Sequence, residues 1–124
     1  MKFLMISSFL PSVLNFRGKL LEAIHAKGYD IYVMAPELSQ FPDEHQKLQA
    51  LGYHIYEIQM QRTGTNPIKD LNALMEMYRL IRQIQPDVVL CYTIKPVIYG
   101  TLAAWLARVP KRFALITGLG YAFQ

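Results

Sequence analysis

The 124 residues are the length of one domain, and with 52% apolar and 18% charged side chains the chain is too hydrophobic and too weakly charged to stay disordered. A net charge of +4 calls for an anionic partner, yet the basic residues are spread from Lys2 to Arg112 with Lys111-Arg112 the only adjacent pair, which argues against nucleic acid. Cys91 is the only cysteine and the three histidines are scattered, so no internal disulfide, metal site or cofactor is expected, and the setting is read as reducing and cytoplasmic.

In chain order, the first apolar run, Phe3-Leu4-Met5-Ile6, reads as a strand buried on both faces. It is too short for a signal-peptide core. A loop through Pro11 leads to a helix over 13–27, with Leu14, Leu20, Leu21 and Ile24 inward and Gly28 as its left-handed stop. A second strand over 30–35 is closed by Pro36. A short helix over 43–51 ends at Gly52, and a third strand covers 53–58. Asn66 as N-cap and Pro67 in the first turn open the clearest helix, with Leu71, Leu74, Met75, Tyr78 and Ile81 on one face, until Pro86 stops it. The fourth strand is 87–92, followed by a nearly all-apolar helix over 96–107 that is about half the length needed to span a bilayer. The fifth strand is 112–117.

Alternating strands and helices with β-branched, apolar strands predict an α/β fold: a doubly wound, Rossmann-like parallel sheet of about five strands with helices on both faces. Right-handed crossovers give the order 3-2-1-4-5, and ligands then bind at the carboxyl ends of the strands near the switch point between strands 1 and 4.

That edge contains few chemical signals. The turn after strand 1, Ser7-Ser8-Phe9-Leu10-Pro11-Ser12, lacks the glycines of a dinucleotide site and the acidic residues of a phospho-receiver. After strand 4, Thr93-Ile94-Lys95-Pro96 sets a cation at the positive end of a helix, at a cost of about 0.3–1 kcal/mol that a bound anion would offset. A solvated loop lysine is the alternative. Arg62 lies in the loop after strand 3, where its guanidinium suits a phosphate or stays in solvent. Gly118 and Gly120 follow strand 5, where they admit a ligand closely or simply serve a turn. His25, His45 and His54 have no orienting partner in the sequence and read as structural or surface residues. Met75 and Met77 read as core packing.

The ordered set Lys27-Gly28-Tyr29-Asp30-Ile31 to Ala35-Pro36, Leu51-Gly52-Tyr53, Arg62 to Asn66-Pro67 with Asp70-Leu71, Pro86-Asp87-Val88-Val89, Lys95-Pro96 with Gly100, and Thr117-Gly118-Leu119-Gly120 resembles the amino-terminal half of family 4 glycosyltransferases. It is most similar to the bacterial members that extend lipid-linked surface glycans. The resemblance implies an acceptor-side domain of a two-domain GT-B enzyme, occupying 1–124, that transfers a sugar with retention from a nucleotide-sugar donor to a lipid-linked or growing polysaccharide acceptor. The donor domain is expected to be absent from this chain, leaving the fragment inactive, and the parent enzyme to work peripherally on the inner face of the cytoplasmic membrane.

The pattern departs from the family in two places. Serines replace the two glycines common after strand 1, and Cys91-Tyr92-Thr93 stands where many relatives have an active-site histidine, so no catalytic residue is assigned. The expected substrate-binding set is Lys95, Arg62, Thr93, Gly118, Gly120 and Ser8, without metal. The competing readings are half of a GT-B-type sugar-nucleotide epimerase and a non-catalytic Rossmann-like ligand-binding domain.

Overall fold

Each apolar run becomes a strand because strands joined by helical crossovers must lie parallel and hide both faces. The structure, a computed structural model, describes residues 1–59, 67–92 and 96–115. Its elements are β1 (Lys2–Ile6), α1 (Leu10–Ala26), β2 (Asp30–Ala35), α2 (Pro42–Ala50), β3 (His54–Glu57), α3 (Pro67–Ile84), β4 (Val88–Tyr92), α4 (Thr101–Leu106) and β5 (Lys111–Leu115). A 3-10 turn, Leu38–Gln40, precedes α2, and a π-helical turn, Pro96–Gly100, leads into α4.

All pairings are parallel and the strand order is β3-β2-β1-β4-β5, as the crossover rule requires. β1 is central: Leu4 pairs with Tyr32 on one side and Val89 on the other. Strand alternation divides the core into two layers. Phe3 and Met5 pack with α1 and α2 side chains such as Leu10, Val13, Leu21 and Leu48. Leu4 and Ile6 pack with Met77 and Ile81 of α3 and Ala103 and Ala104 of α4 on the opposite face. The sheet is therefore doubly wound.

The boundaries differ from expectation where turn chemistry was misread. α1 begins at Leu10, three residues earlier than expected, because Pro11 occupies its first turn, where the missing N–H costs nothing. Gly28 and Gly52 have φ of +94° and +88°, consistent with their expected roles as helix stops. Leu20, expected inward, is exposed.

The phase of α3 also needs correction. Its buried side is Asp70, Ala73, Met77, Ile81 and Ile84, whereas Leu71 and Met75 point to solvent and Leu74 and Tyr78 flank the core. The single helix expected over 96–107 is a π turn joined to a six-residue α-helix. None of these shifts alters the topology.

Candidate functional site at the switch point

The strands β1 and β4 pair side by side, with Ile6 opposite Cys91, and their connections leave in opposite directions to α1 and to the π turn. In doubly wound sheets such a divergence marks the switch point, where the crevice at the carboxyl edge takes ligands. Of the expected binding residues, Ser8 is described: it is half-buried in the β1–α1 turn at this edge. Arg62, Thr93, Lys95, Gly118 and Gly120 lie outside the described residues.

Serine side chains build the turn after β1. The buried Ser7 Oγ donates to the Phe9 carbonyl at 3.1 Å and accepts from the Phe9 N–H at 3.1 Å, while Ser12 Oγ donates to the same carbonyl at 2.7 Å. Ser7 N–H donates to Met34 O at 2.9 Å, tying the turn to β2. The turn is fixed by local hydrogen bonds, so it presents a preset surface at the edge.

A polar pair not singled out from the sequence lies on the other side of the switch point. Tyr99, in the π turn, donates its hydroxyl to Asp70 Oδ2 at 3.1 Å. Asp70 is buried in the first turn of α3, where the helix dipole favours its negative charge. That hydrogen bond first, then burial and the Asp70 charge, raise the Tyr99 hydroxyl above the ordinary tyrosine range. The pair clamps the π turn to α3 and so fixes the segment that begins at Pro96. Asp70 belonged to the sequence pattern, but its partner lies 29 residues away and sequence spacing gave no sign of it.

Two further carboxylates brace the same edge. Glu57 accepts from the Leu38 N–H at 3.1 Å and Glu76 from the Gln59 N–H at 2.7 Å, which leaves both committed to loop backbone. The histidines behave as expected of structural or surface residues: His25 Nδ1 lies 3.1 Å from Tyr29 O, and His54 stacks on Tyr32. A cleft of about 750 Å3 lies at the opposite edge of the sheet, lined by Tyr78, Arg82, Leu106 and Arg108 among others, away from the crevice.

Comparison with known proteins agrees with this architecture. Residues 9–124 match the family described as "Glycosyl transferase 4-like". The N,N'-diacetylbacillosaminyl-diphospho-undecaprenol alpha-1,3-N-acetylgalactosaminyltransferase of Campylobacter jejuni is 29% identical over 110 residues, covering 88% of this chain and 28% of that protein. Among solved structures, MurG of Acinetobacter baumannii superposes with a TM-score of 0.67 at 22% identity, over 91% of this chain and 33% of its own. The UDP-GlcNAc 2-epimerase of Methanocaldococcus jannaschii gives 0.65 at 17%, over 91% and 31%. The chain thus spans about a third or less of each of these proteins, and the two structural likenesses establish the fold alone.

Proposed function

The chain belongs to the glycosyl transferase 4-like family, and from that premise we propose that it is the amino-terminal, acceptor-side domain of a retaining GT-B glycosyltransferase. The full-length enzyme would transfer a sugar from a nucleotide-sugar donor, bound mainly by a second domain, to a lipid-linked or growing surface-glycan acceptor. The observation that carries this reading is the family match running from the β1–α1 turn through every later element. The Campylobacter relative, named for a diphospho-undecaprenol-linked substrate, supports an acceptor of that class. The epimerase likeness is one of fold and favours no second reading.

In this proposal Ser8, Thr93, Lys95, Arg62, Gly118 and Gly120 bind substrate around the crevice. A diphosphate needs donors and positive charge, which Lys95 and Arg62 supply, while the glycines allow close backbone approach. An enzyme of this kind would work peripherally at the cytoplasmic membrane, attracted by anionic lipid and by its substrate. No helix among the described residues is long and apolar enough to cross a membrane.

The test is transfer of labelled sugar from a panel of nucleotide sugars to an undecaprenyl-diphosphate-linked acceptor. The full-length protein should transfer with retention, and the 124-residue chain alone should stay at background. Interconversion of UDP-GlcNAc with its 2-epimer, without transfer, would replace this reading with the epimerase.

Lys95→Ala in the full-length enzyme should lower kcat/KM ten- to hundredfold, or about 1.4–2.8 kcal/mol, with an unchanged melting temperature. A rise confined to KM assigns Lys95 to uniform binding, and a fall in kcat to the transition state. Wild-type efficiency would return Lys95 to the solvated-loop reading.

A further inference from the structure

The helices of this domain end in two different ways. α1 and α2 are closed by Gly28 and Gly52 at positive φ, where glycine bears no steric penalty. α3 and α4 are followed instead by Gln85 at φ +54° and Arg108 at φ +61°, two of the three non-glycine residues with positive φ among those described. The bonding does not account for the difference. At the end of α2 the Gly52 N–H donates to Gln49 O and the Tyr53 N–H to Leu48 O, and at the end of α4 the Arg108 N–H donates to Trp105 O and the Val109 N–H to Ala104 O in the same pattern. Arginine therefore occupies a position that glycine fills with less strain in the same motif.

Gln85 and Arg108 come together in one place. Both line the cleft of about 750 Å3 at the amino edge of β4 and β5, with Tyr78 and Arg82 from the end of α3. Arg82 is exposed, donates to the Tyr78 hydroxyl at 3.3 Å and lies over that ring, which holds it in place without neutralising it. Among the described residues neither Arg82 nor Arg108 has an ion pair. The groups that could balance them are engaged elsewhere. Asp87, the one acid in the lining, accepts from the Lys2 N–H at 2.8 Å. The negative end of α3 is met by Lys2, whose ammonium donates to the Ile84 carbonyl at 2.9 Å, and the Val109 carbonyl beyond α4 accepts from Arg112 at 3.3 Å.

We propose that this cleft binds a soluble, phosphate-bearing small molecule, with Arg82 and Arg108 holding the phosphate and the Gln85 amide donating to it. The site goes beyond the transferase reading and does not rest on it. Guanidinium groups match phosphate oxygens two at a time, a pair of them suits a doubly charged phosphate ester or a diphosphate, and the volume is that of a small-molecule site. The strain at Arg108 then has a reason: it sets a guanidinium where the same motif elsewhere carries no side chain.

The experiment is calorimetric titration of the full-length protein with inorganic pyrophosphate, with malonate as the carboxylate control, alongside thermal melting with and without pyrophosphate. Wild type should bind pyrophosphate and melt higher in its presence. Arg82→Gln with Arg108→Gln should weaken one pyrophosphate-binding event by about tenfold or more while keeping the native circular dichroism spectrum. Arg79→Gln, which removes an exposed arginine of α3 outside the cleft, should bind as wild type. Arg108→Gly should raise the melting temperature of the ligand-free protein, by relieving the left-handed backbone, and diminish the rise that pyrophosphate gives. Equal binding by wild type and by the Arg82 and Arg108 pair would overturn the site. An equal loss in Arg79→Gln would also overturn it, by showing diffuse attraction between charges. Malonate bound as tightly as pyrophosphate would overturn the phosphate class, and a lower melting temperature for Arg108→Gly would overturn the reading of Arg108 as a ligand group set against backbone preference.

Discussion

Gly100→Val is expected to destabilise the fold by about 3 kcal/mol, the upper end of the cost of overpacking a core. Gly100 is buried at the junction of the π turn and α4, and its φ of −67° is open to any residue, so backbone strain is not the reason for glycine. The reason is space: a Cβ there would lie 2.8 Å from Cys91 Sγ and 3.1 Å from Ile6 Cδ1. Ile6 can turn its terminal methyl, but Cys91 is fixed by pairing to β1 and β5 on both sides. Alanine at 100 gains about 1 kcal/mol of helix propensity against a smaller overlap, so its net cost should be about 1–2 kcal/mol. Cys91→Ala removes the sulfur and should absorb most of the Gly100→Ala cost in a double-mutant cycle read by urea denaturation. Strict additivity would show that the sulfur contact does not set the limit. The junction also carries Pro96 and the Tyr99 clamp, so crowding it should disturb the crevice as well.

The topology was legible because it depends on features that single segments display. Five apolar runs separated by helical periods allow one doubly wound order once crossovers are right-handed, and Gly28 and Gly52 mark helix ends by a backbone geometry that few other residues adopt. The phase of α3 was not legible. Two stripes that both contain Ile81 fit the helical period, one through Leu71 and Met75 and one through Ala73 and Met77, and the sequence favours the one with the larger side chains. The structure buries the other, with Asp70 on it, and this carboxylate is satisfied by Tyr99 from the π turn that follows β4.

The candidate site was only partly legible, for a related reason. Its location follows from topology, and the Ser7 to Ser12 turn was seen to lack glycine. What replaces glycine, a network centred on Ser7 Oγ and the Phe9 carbonyl, depends on side-chain geometry that spacing does not encode. The carboxylates of Glu57 and Glu76 pair with backbone N–H groups 19 and 17 residues away, so nothing local distinguishes them from solvated charges.

The fold should also lose stability steeply in alkali, beginning near pH 9. Burial pushes the Cys91 thiol from 9.0 up to about 12. Thr101 Oγ1 lies close but makes no hydrogen bond among the described residues, so it offsets little of that burial. Because the folded value is raised, the folded state keeps its proton longer than the unfolded chain does. The resulting stability is fully present below pH 9 and is lost as pH rises toward 12, on the order of 4 kcal/mol across the window. Tyr32, Tyr53 and Tyr99 are also raised from 10.0, the first two chiefly by burial and Tyr99 chiefly by its bond to Asp70, and they add losses of the same sign as pH approaches and passes 10. The tyrosines begin to ionise in the unfolded chain over the same interval, so the thiol is read as a difference: from pH 9 to 10 wild type should lose about 1 kcal/mol more by urea denaturation than Cys91→Ala, which is lower in absolute stability. The same burial should make native Cys91 react with a disulfide reagent at pH 8 only as fast as the chain opens, with the rate rising in urea. A wild-type profile that is flat from pH 9 to 10, or prompt labelling of the folded protein, would show that the β4 core around Cys91 is open to water.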